Sequence, residues 1–204
     1  MSKFFSVEFD LSELKRFLIE AKKSTFAADA KKSTLVDQTS IHSYRDITGA
    51  KLLMYQDIYN GNTAEIGEET VSVNLIKVWR NQYCGGTMFF PEIHGGLNIN
   101  DWAQYVSNFL RAALRNLPED FPVRGPKLFQ ATSATSQGRQ IMGDWKYVNS
   151  WEGLPLFSEN ADPFASYRGL EYIYFNDKMV YWHAYQGGLI YDKFTPFSCK
   201  EIMT

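Results

Sequence analysis

The sequence predicts an α+β fold made by internal duplication: two α-β-β-β units related by a pseudo-two-fold, with helices packed on antiparallel sheet. Three observations predict it. Gly67, Glu69, Asn74, Val78, Tyr83, Gly85 and Gly86 recur as Gly169, Glu171, Asn176, Val180, Tyr185, Gly187 and Gly188, seven identities in twenty positions at a constant offset of 102. A fixed-offset match is the mark of an internal repeat and governs how the rest is read. The strand before it recurs at an offset of 92, where Tyr55, Tyr59 and Gly61 face Tyr147, Trp151 and Gly153. A helix precedes each strand, and Phe17, Leu18 and Ala21 match Phe109, Leu110 and Ala113 at the same 92. The change of offset puts the extra residues of the second unit in the loop Leu154 to Arg168, which holds Pro155 and Pro163. The units occupy 1–100 and 101–204 of one compact domain.

The first helix starts at Ser12, the predicted N-cap, with Glu13 in its first turn. Leu14, Phe17, Leu18 and Ala21 form its apolar stripe. Lys15, Arg16, Lys22 and Lys23 fill the other side and the last turn, where cations suit the helix dipole. Ser24 to Ala50 is polar and weakly patterned, which predicts a long loop with one short element. Leu52 to Tyr59 reads as a strand closed by Asn60-Gly61, and Glu69 to Tyr83 as the first hairpin. Thr87 to Asn100 reads as connector. The second helix is predicted over Asp101 to Asn116, capped by Asn100 or Asp101, with Trp102, Tyr105, Val106, Phe109, Leu110, Ala113 and Leu114 on its apolar face. Ala131 to Gly138 is rich in Ser and Thr and reads as a surface loop; beside Arg139 it offers a phosphate only a minor opportunity. The second hairpin, Gly169 to Gly188, turns at Asn176-Asp177, a pair that tolerates positive φ.

Composition limits the function. Hydrophobic residues make up 45% of the 204, enough for a core, and aromatics 16%, which favours sheet. Twenty-one basic residues stand against 23 acidic, a net charge of −2 without the basic footprint of a duplex-binding protein. No run reaches the roughly 18 apolar residues of a membrane span, and the first residues lack a signal peptide's apolar core. Cys84 and Cys199 are too few for a disulfide framework. The expectation is a cytoplasmic protein without membrane or duplex nucleic-acid partners.

Strict alternation sorts each hairpin into two faces. Val71, Val73, Ile76 and Val78, with Ile173, Phe175 and Val180, form the face expected under the helices. Thr70, Ser72, Trp79, Asn81 and Tyr83, with Tyr172, Tyr174, Tyr181, His183 and Tyr185, form the other. Rings with polar tips suit either an interface between two sheets or a ligand-lining surface. Glu69 and Glu171 stand in both copies, as pocket acids or as edge carboxylates paired with a neighbour such as Arg80. The paired glycines that end the hairpins point to bulges or sharp turns. Asp57, Glu65, Glu68 and Glu69 have the makings of a divalent-metal or acid/base site, but four acids in thirteen residues read first as a solvated rim. His42, His94 and His183 show no metal-ligand spacing, and no nucleophile elbow, P-loop or dinucleotide fingerprint is present.

The chain resembles a bacterial family of unknown function that is found in places behind the helix-turn-helix domain of Xre-type regulators. The pieces that carry the resemblance are Phe17 to Lys23, the Tyr55-to-Tyr59 strand, Gly67-Glu68-Glu69, Val78-Trp79 with Tyr83 and Gly85, Arg124-Gly125-Pro126, and the hairpin through Gly187-Gly188-Leu189-Ile190. The resemblance implies an α+β domain with a ligand-sensing role and supplies no catalytic residues. The chain departs from the regulator form in lacking the DNA-binding domain.

These readings lead to a non-catalytic small-molecule-binding domain, a sensor or sequestering protein. Its expected site residues are Trp79, Asn81, Tyr83, Tyr172, Tyr181, His183, Tyr185, Glu69 and Glu171, disposed around a planar, nucleotide-like ligand between the repeats, with no metal or cofactor. The alternatives are a hydrolase using Glu69 or Glu171 with His183, and an interaction module that forms a homodimer through the aromatic face.

Overall fold

In the computed structural model, which describes residues 10–25, 33–35, 39–61, 63–93, 96–153 and 166–190, strands dominate. The order is α1 (Leu11–Ser24), β1 (Ser33–Thr34), β2 (Ser40–Thr48), β3 (Lys51–Asn60), β4 (Ala64–Val73), β5 (Ile76–Thr87), α2 (Ile99–Leu114), β6 (Leu128–Ser136), β7 (Arg139–Gly153), β8 (Ser166–Phe175) and β9 (Lys178–Leu189). A 3-10 turn, Pro91–Ile93, lies between β5 and α2.

All nine strands form one antiparallel sheet, in the order β1-β2-β3-β4-β5-β9-β8-β7-β6. This overturns the predicted fold class. Among the described residues there are not two α-β-β-β units with separate sheets but a single continuous sheet with two α-helices. The reason is edge satisfaction. A hairpin ending at β5 would leave a row of unpaired backbone groups, and β9 takes them up from Trp79 opposite Leu189 to Thr87 opposite Tyr181. Two further strands arise where loops were expected. Ser40–Thr48 pairs along the whole of β3, and Leu128–Ser136 pairs with β7. Most of the Ser/Thr-rich stretch is therefore strand, and only Gln137-Gly138, with φ of 49° and 74°, is turn. Residues 26–32 and 36–38 of the first predicted loop and 154–165 of the second lie outside the described residues, as do His94 and Cys199.

The turns at Asn74-Leu75 and Asn176-Asp177 take positive φ at both central residues, 50° and 71° in one and 48° and 61° in the other. Asparagine does more there than tolerate the geometry. Asn74 Oδ1 accepts from the Leu52 amide and Asn176 Oδ1 from the Asp144 amide, both at 2.9 Å, so each turn is tied to the next strand. Both hairpins carry a β-bulge at the same place, after Val71 and after Ile173. In a bulge two residues oppose one, and here Val78 with Trp79, and Val180 with Tyr181, all bury. The two-face assignment fails for that reason. The aliphatic and the polar-aromatic sets share one face, leaving Thr70, Ser72, Tyr172 and Tyr174 on the other.

The helix caps lie two or three residues earlier than predicted. Asp10 accepts from the Ser12 amide, and Asn98 from the Asp101 amide. Leu14, Phe17, Leu18 and Ala21 join Leu53, Tyr55, Val71, Val73, Val78 and Trp79 in one core cluster, which Phe121 and Val123 complete. Trp102, Phe109, Leu110 and Ala113 join Trp145, Tyr147, Ile173 and Val180 in the other. The first cluster crosses the seam between β5 and β9, with Tyr83 on one side and Tyr185 and Tyr167 on the other.

Candidate functional site

Residues directly opposite in an antiparallel sheet project from the same face. On the covered face this sets two polar rows across the seam. Asp57 stands opposite Glu69 and Glu69 opposite Asn81; His183 stands opposite Glu171 and Glu171 opposite Asn149. Tyr83 and Tyr185 face each other between the rows. Each hydroxyl reaches across an opposing glycine, since a Cβ at Gly67 would stand 2.5 Å from the Tyr83 oxygen and one at Gly169 would enter the Tyr185 ring.

Burial then dictates pairing, because an unpaired interior charge is expensive. Glu69, 3% exposed, accepts from Lys22 Nζ at 2.5 Å and Tyr55 Oη at 2.8 Å on Oε1, and from Asn81 Nδ2 at 2.8 Å on Oε2. Glu171 is fully buried. Its Oε2 accepts from Arg124 Nη2 at 2.6 Å and Nε at 2.9 Å, and its Oε1 from the Tyr147 hydroxyl. His183 Nδ1 lies 3.1 Å from the same Oε2, outside the alignment of a good hydrogen bond. The partners of the acids are not those the sequence suggested. Lys22 is buried rather than solvated, and Arg80 pairs with Glu68, not Glu69.

The other hydroxyls are committed too. Tyr83 donates to Asp57 Oδ1 at 2.6 Å, Tyr185 to Asn149 Oδ1 at 2.8 Å, Tyr167 to Asn81 Oδ1 at 3.2 Å, and Tyr181 to Glu65 Oε1 at 2.9 Å. His183 stacks on Tyr181 with 11° between the planes. Eight of the nine expected site residues thus gather at the seam as buried groups, and the ninth, Tyr172, lies on the opposite face, half-buried. Sequence reasoning missed Lys22, Tyr55, Arg124, Tyr147, Asn149 and Tyr167, and read Asp57 as rim. The signal for Tyr55 and Tyr147 was present in the 92-residue match.

Titration follows from this setting. Burial pushes Asp57 up to about 7, helped by the Glu69 charge, with Tyr83 and Lys22 opposing. Burial would raise Glu171 as well, but the Arg124 guanidinium, with His183, holds its carboxyl far below the usual range. Glu69 is lowered, the desolvation outweighed by Lys22 and Arg124. Burial lowers the Lys22 ammonium against the pull of Glu69.

A cavity of about 30 Å³ opens at this junction, bounded by Lys22, Asp57, Glu65, Tyr83, Arg124 and His183. Leu114, Leu117 and Val123 form its apolar wall, and half-exposed Glu65 and Leu117 mark its mouth. The volume holds a water or a small polar head group, not a whole planar ligand. A broader hollow of about 830 Å³ lies on the other face over Ile66, Cys84, Leu170 and Ala184. Its charged rim residues Glu152 and Arg168 pair with each other. The larger void is therefore not where the unusual chemistry is.

Among the described residues no group of three or more His, Cys, Asp or Glu side chains is arranged to hold a metal, and no helix is long and apolar enough to cross a membrane. Residues 57–190 match the model of a family described as a domain of unknown function (DUF5680). The chain belongs to this family. No curated protein and no solved structure matches it. The matched span begins at Asp57 and takes in Glu65, Glu69, Tyr83, Arg124, Glu171 and His183, while Lys22 reaches the site from α1, outside it.

Proposed function

We propose that the chain is a non-catalytic small-molecule-binding domain of the cytoplasm, a sensor or a sequestering protein, whose ligand places a polar head in the cavity at the β5–β9 seam. One observation carries this reading: in a core where nearly every polar group has a partner, an open space is bounded by Lys22, Asp57, Glu65, Arg124 and His183. Ligand sites are concave, with a few polar groups on an apolar wall, and a carboxyl moved as far as Asp57 is a common companion of function. The resemblance to domains fused behind Xre-type regulators favours sensing.

A hydrolase is the second reading, favoured by the 3.1 Å approach of His183 to Glu171. Against it, Glu171 is already held by Arg124 and Tyr147, and neither residue is more than 1% exposed. A homodimer through the aromatic rings would need a face that the helices cover.

The test is a thermal-shift screen against metabolites, with mass spectrometry of any co-purifying compound, repeated on Leu117→Trp, which fills the mouth without removing a charge. A stabilising compound whose effect disappears in that variant supports the site. Binders indifferent to it refute the site, and turnover of the bound compound selects the hydrolase.

A further inference from the structure

The cavity is short of positive charge. Its two cations are each paired with a carboxylate: Lys22 with Glu69, and Arg124, through Nε and Nη2, with Glu171. Asp57 and Glu65 are left with one tyrosine hydroxyl each, on Oδ1 and Oε1. Asp57 Oδ2 and Glu65 Oε2 accept no hydrogen bond among the described residues. Four carboxylates meet two cations here, and with His183 charged there would still be one negative charge in excess. The arrangement is built around buried groups, since Asp57 is 5% exposed, and the unspent oxygens belong to residues that bound the cavity.

We propose that the ligand of this site is an organic cation, bound through a primary ammonium or guanidinium head between Asp57 and Glu65. This rests on the binding reading above and names the class of ligand that the seam accepts. An ammonium has three donors and no acceptor, which suits two unsatisfied carboxylate oxygens. Leu114, Leu117 and Val123 line the approach for an alkyl stem. An anionic head would add a further negative charge beside Asp57, Glu65 and Glu69, where carboxylates already outnumber the cations.

Without a cation the proton does the compensating. Asp57 is faced by Glu69 and Glu65 from β4, Tyr83 from β5, His183 from β9, His42 from β2, Lys22 from α1 and Arg124 from the segment after α2. With its carboxyl pushed up to about 7, Asp57 is about half protonated at neutral pH. A bound cation restores its ordinary acidity, so binding expels a proton.

The experiment uses the full chain with n-butylammonium and agmatine as probes, butyrate as the anionic control and butanol as the neutral one. Affinity is measured by calorimetry at pH 6, 7 and 8 in buffers of differing ionisation enthalpy. The expected result is binding of the two cations alone, about tenfold tighter at pH 8 than at pH 6, with about half a proton released at pH 7. Asp57→Asn should weaken them at least tenfold and abolish the proton release. Glu65→Gln, at a half-exposed position that tolerates change, should weaken them without abolishing it. Preferential binding of butyrate would overturn the cationic class and leave the small-molecule reading standing. Equal stabilisation by potassium or magnesium would replace the organic head by an inorganic ion. Failure of every probe, with no ligand from the metabolite screen, would remove the binding reading itself.

Discussion

Replacing Asp57 by Asn in the unliganded protein should stabilise it, by an amount that depends on pH in a calculable way. The ordinary carboxyl value is 3.8 and the folded one about 7. Below 3.8 both states are protonated and burying the carboxyl costs nothing electrostatically. As the pH rises from there to about 7, the unfolded chain releases its proton while the folded protein keeps it, so stability falls with pH. At about 1.4 kcal/mol per pH unit, the loss is about 1.7 kcal/mol at pH 5 and saturates near about 4 kcal/mol by pH 8. Asn keeps the acceptor for the Tyr83 hydroxyl and removes the titration. Urea denaturation of the two proteins at pH 5 and 8 should therefore show the variant's advantage growing by about 2.5–3 kcal/mol between them. Glu69 and Glu171 act in the opposite direction. Their folded values are depressed, so the stability they confer is present above about pH 4.5 and lost as pH falls through the folded values, equally in both proteins. Parallel stabilities at the two pH values would mean that Asp57 titrates normally, and the charge deficit at the seam would be refuted.

Arg124→Ala strands the Glu171 charge in the interior and should cost about 3–5 kcal/mol, read as a lower urea midpoint at pH 7; a loss under 1 kcal/mol would show that Tyr147 and His183 suffice. Gly169→Ala drives a methyl into the Tyr185 ring and should cost about 1–3 kcal/mol by thermal denaturation, with loss of the Tyr185–Asn149 bond; an unchanged melting temperature would contradict the close approach. Phe109→Ala should cost about 3–5 kcal/mol through lost burial and a cavity, while Gln137→Asn, in the β6–β7 turn, should stay within about 0.5 kcal/mol. Equal midpoints for that pair would contradict the burial of α2.

What the sequence made legible was local. The helical stripes, the asparagine turns and the two hairpins follow from periodicity and turn chemistry acting over a few residues. β2 and β6 escaped because His42, Arg45 and Asp46 in one, and the Ser/Thr run in the other, give strands without an apolar face. Their alternation carries little hydrophobic contrast. The bulges escaped for a different reason: one inserted residue reverses the phase of everything beyond it, so the rule that sorted Trp79 from Val71 was sound on each side of Val78 and wrong across it. At the seam, Glu69 and Glu171 were visible as recurring acids, but their cations were not. Lys22 comes from a helix position read as solvated, and Arg124 from a connecting segment with no periodic signal. Pairings between distant elements leave no imprint on spacing.

The β5–β9 seam also sets the order in which the molecule can be built. Its partners lie about a hundred residues apart along the chain, whereas every other neighbouring pair of long strands is consecutive in sequence, so it should form late. A chain still emerging from the ribosome completes Ile76–Thr87 long before Lys178–Leu189 exists. For that interval β5 is an edge of twelve residues, with Trp79 and Tyr83 on one side and no covalent neighbour waiting to cover it. Such an edge invites pairing with another nascent chain. A truncation ending before α2 should therefore aggregate where the full chain does not, and supplying β8–β9 as a separate peptide should suppress it.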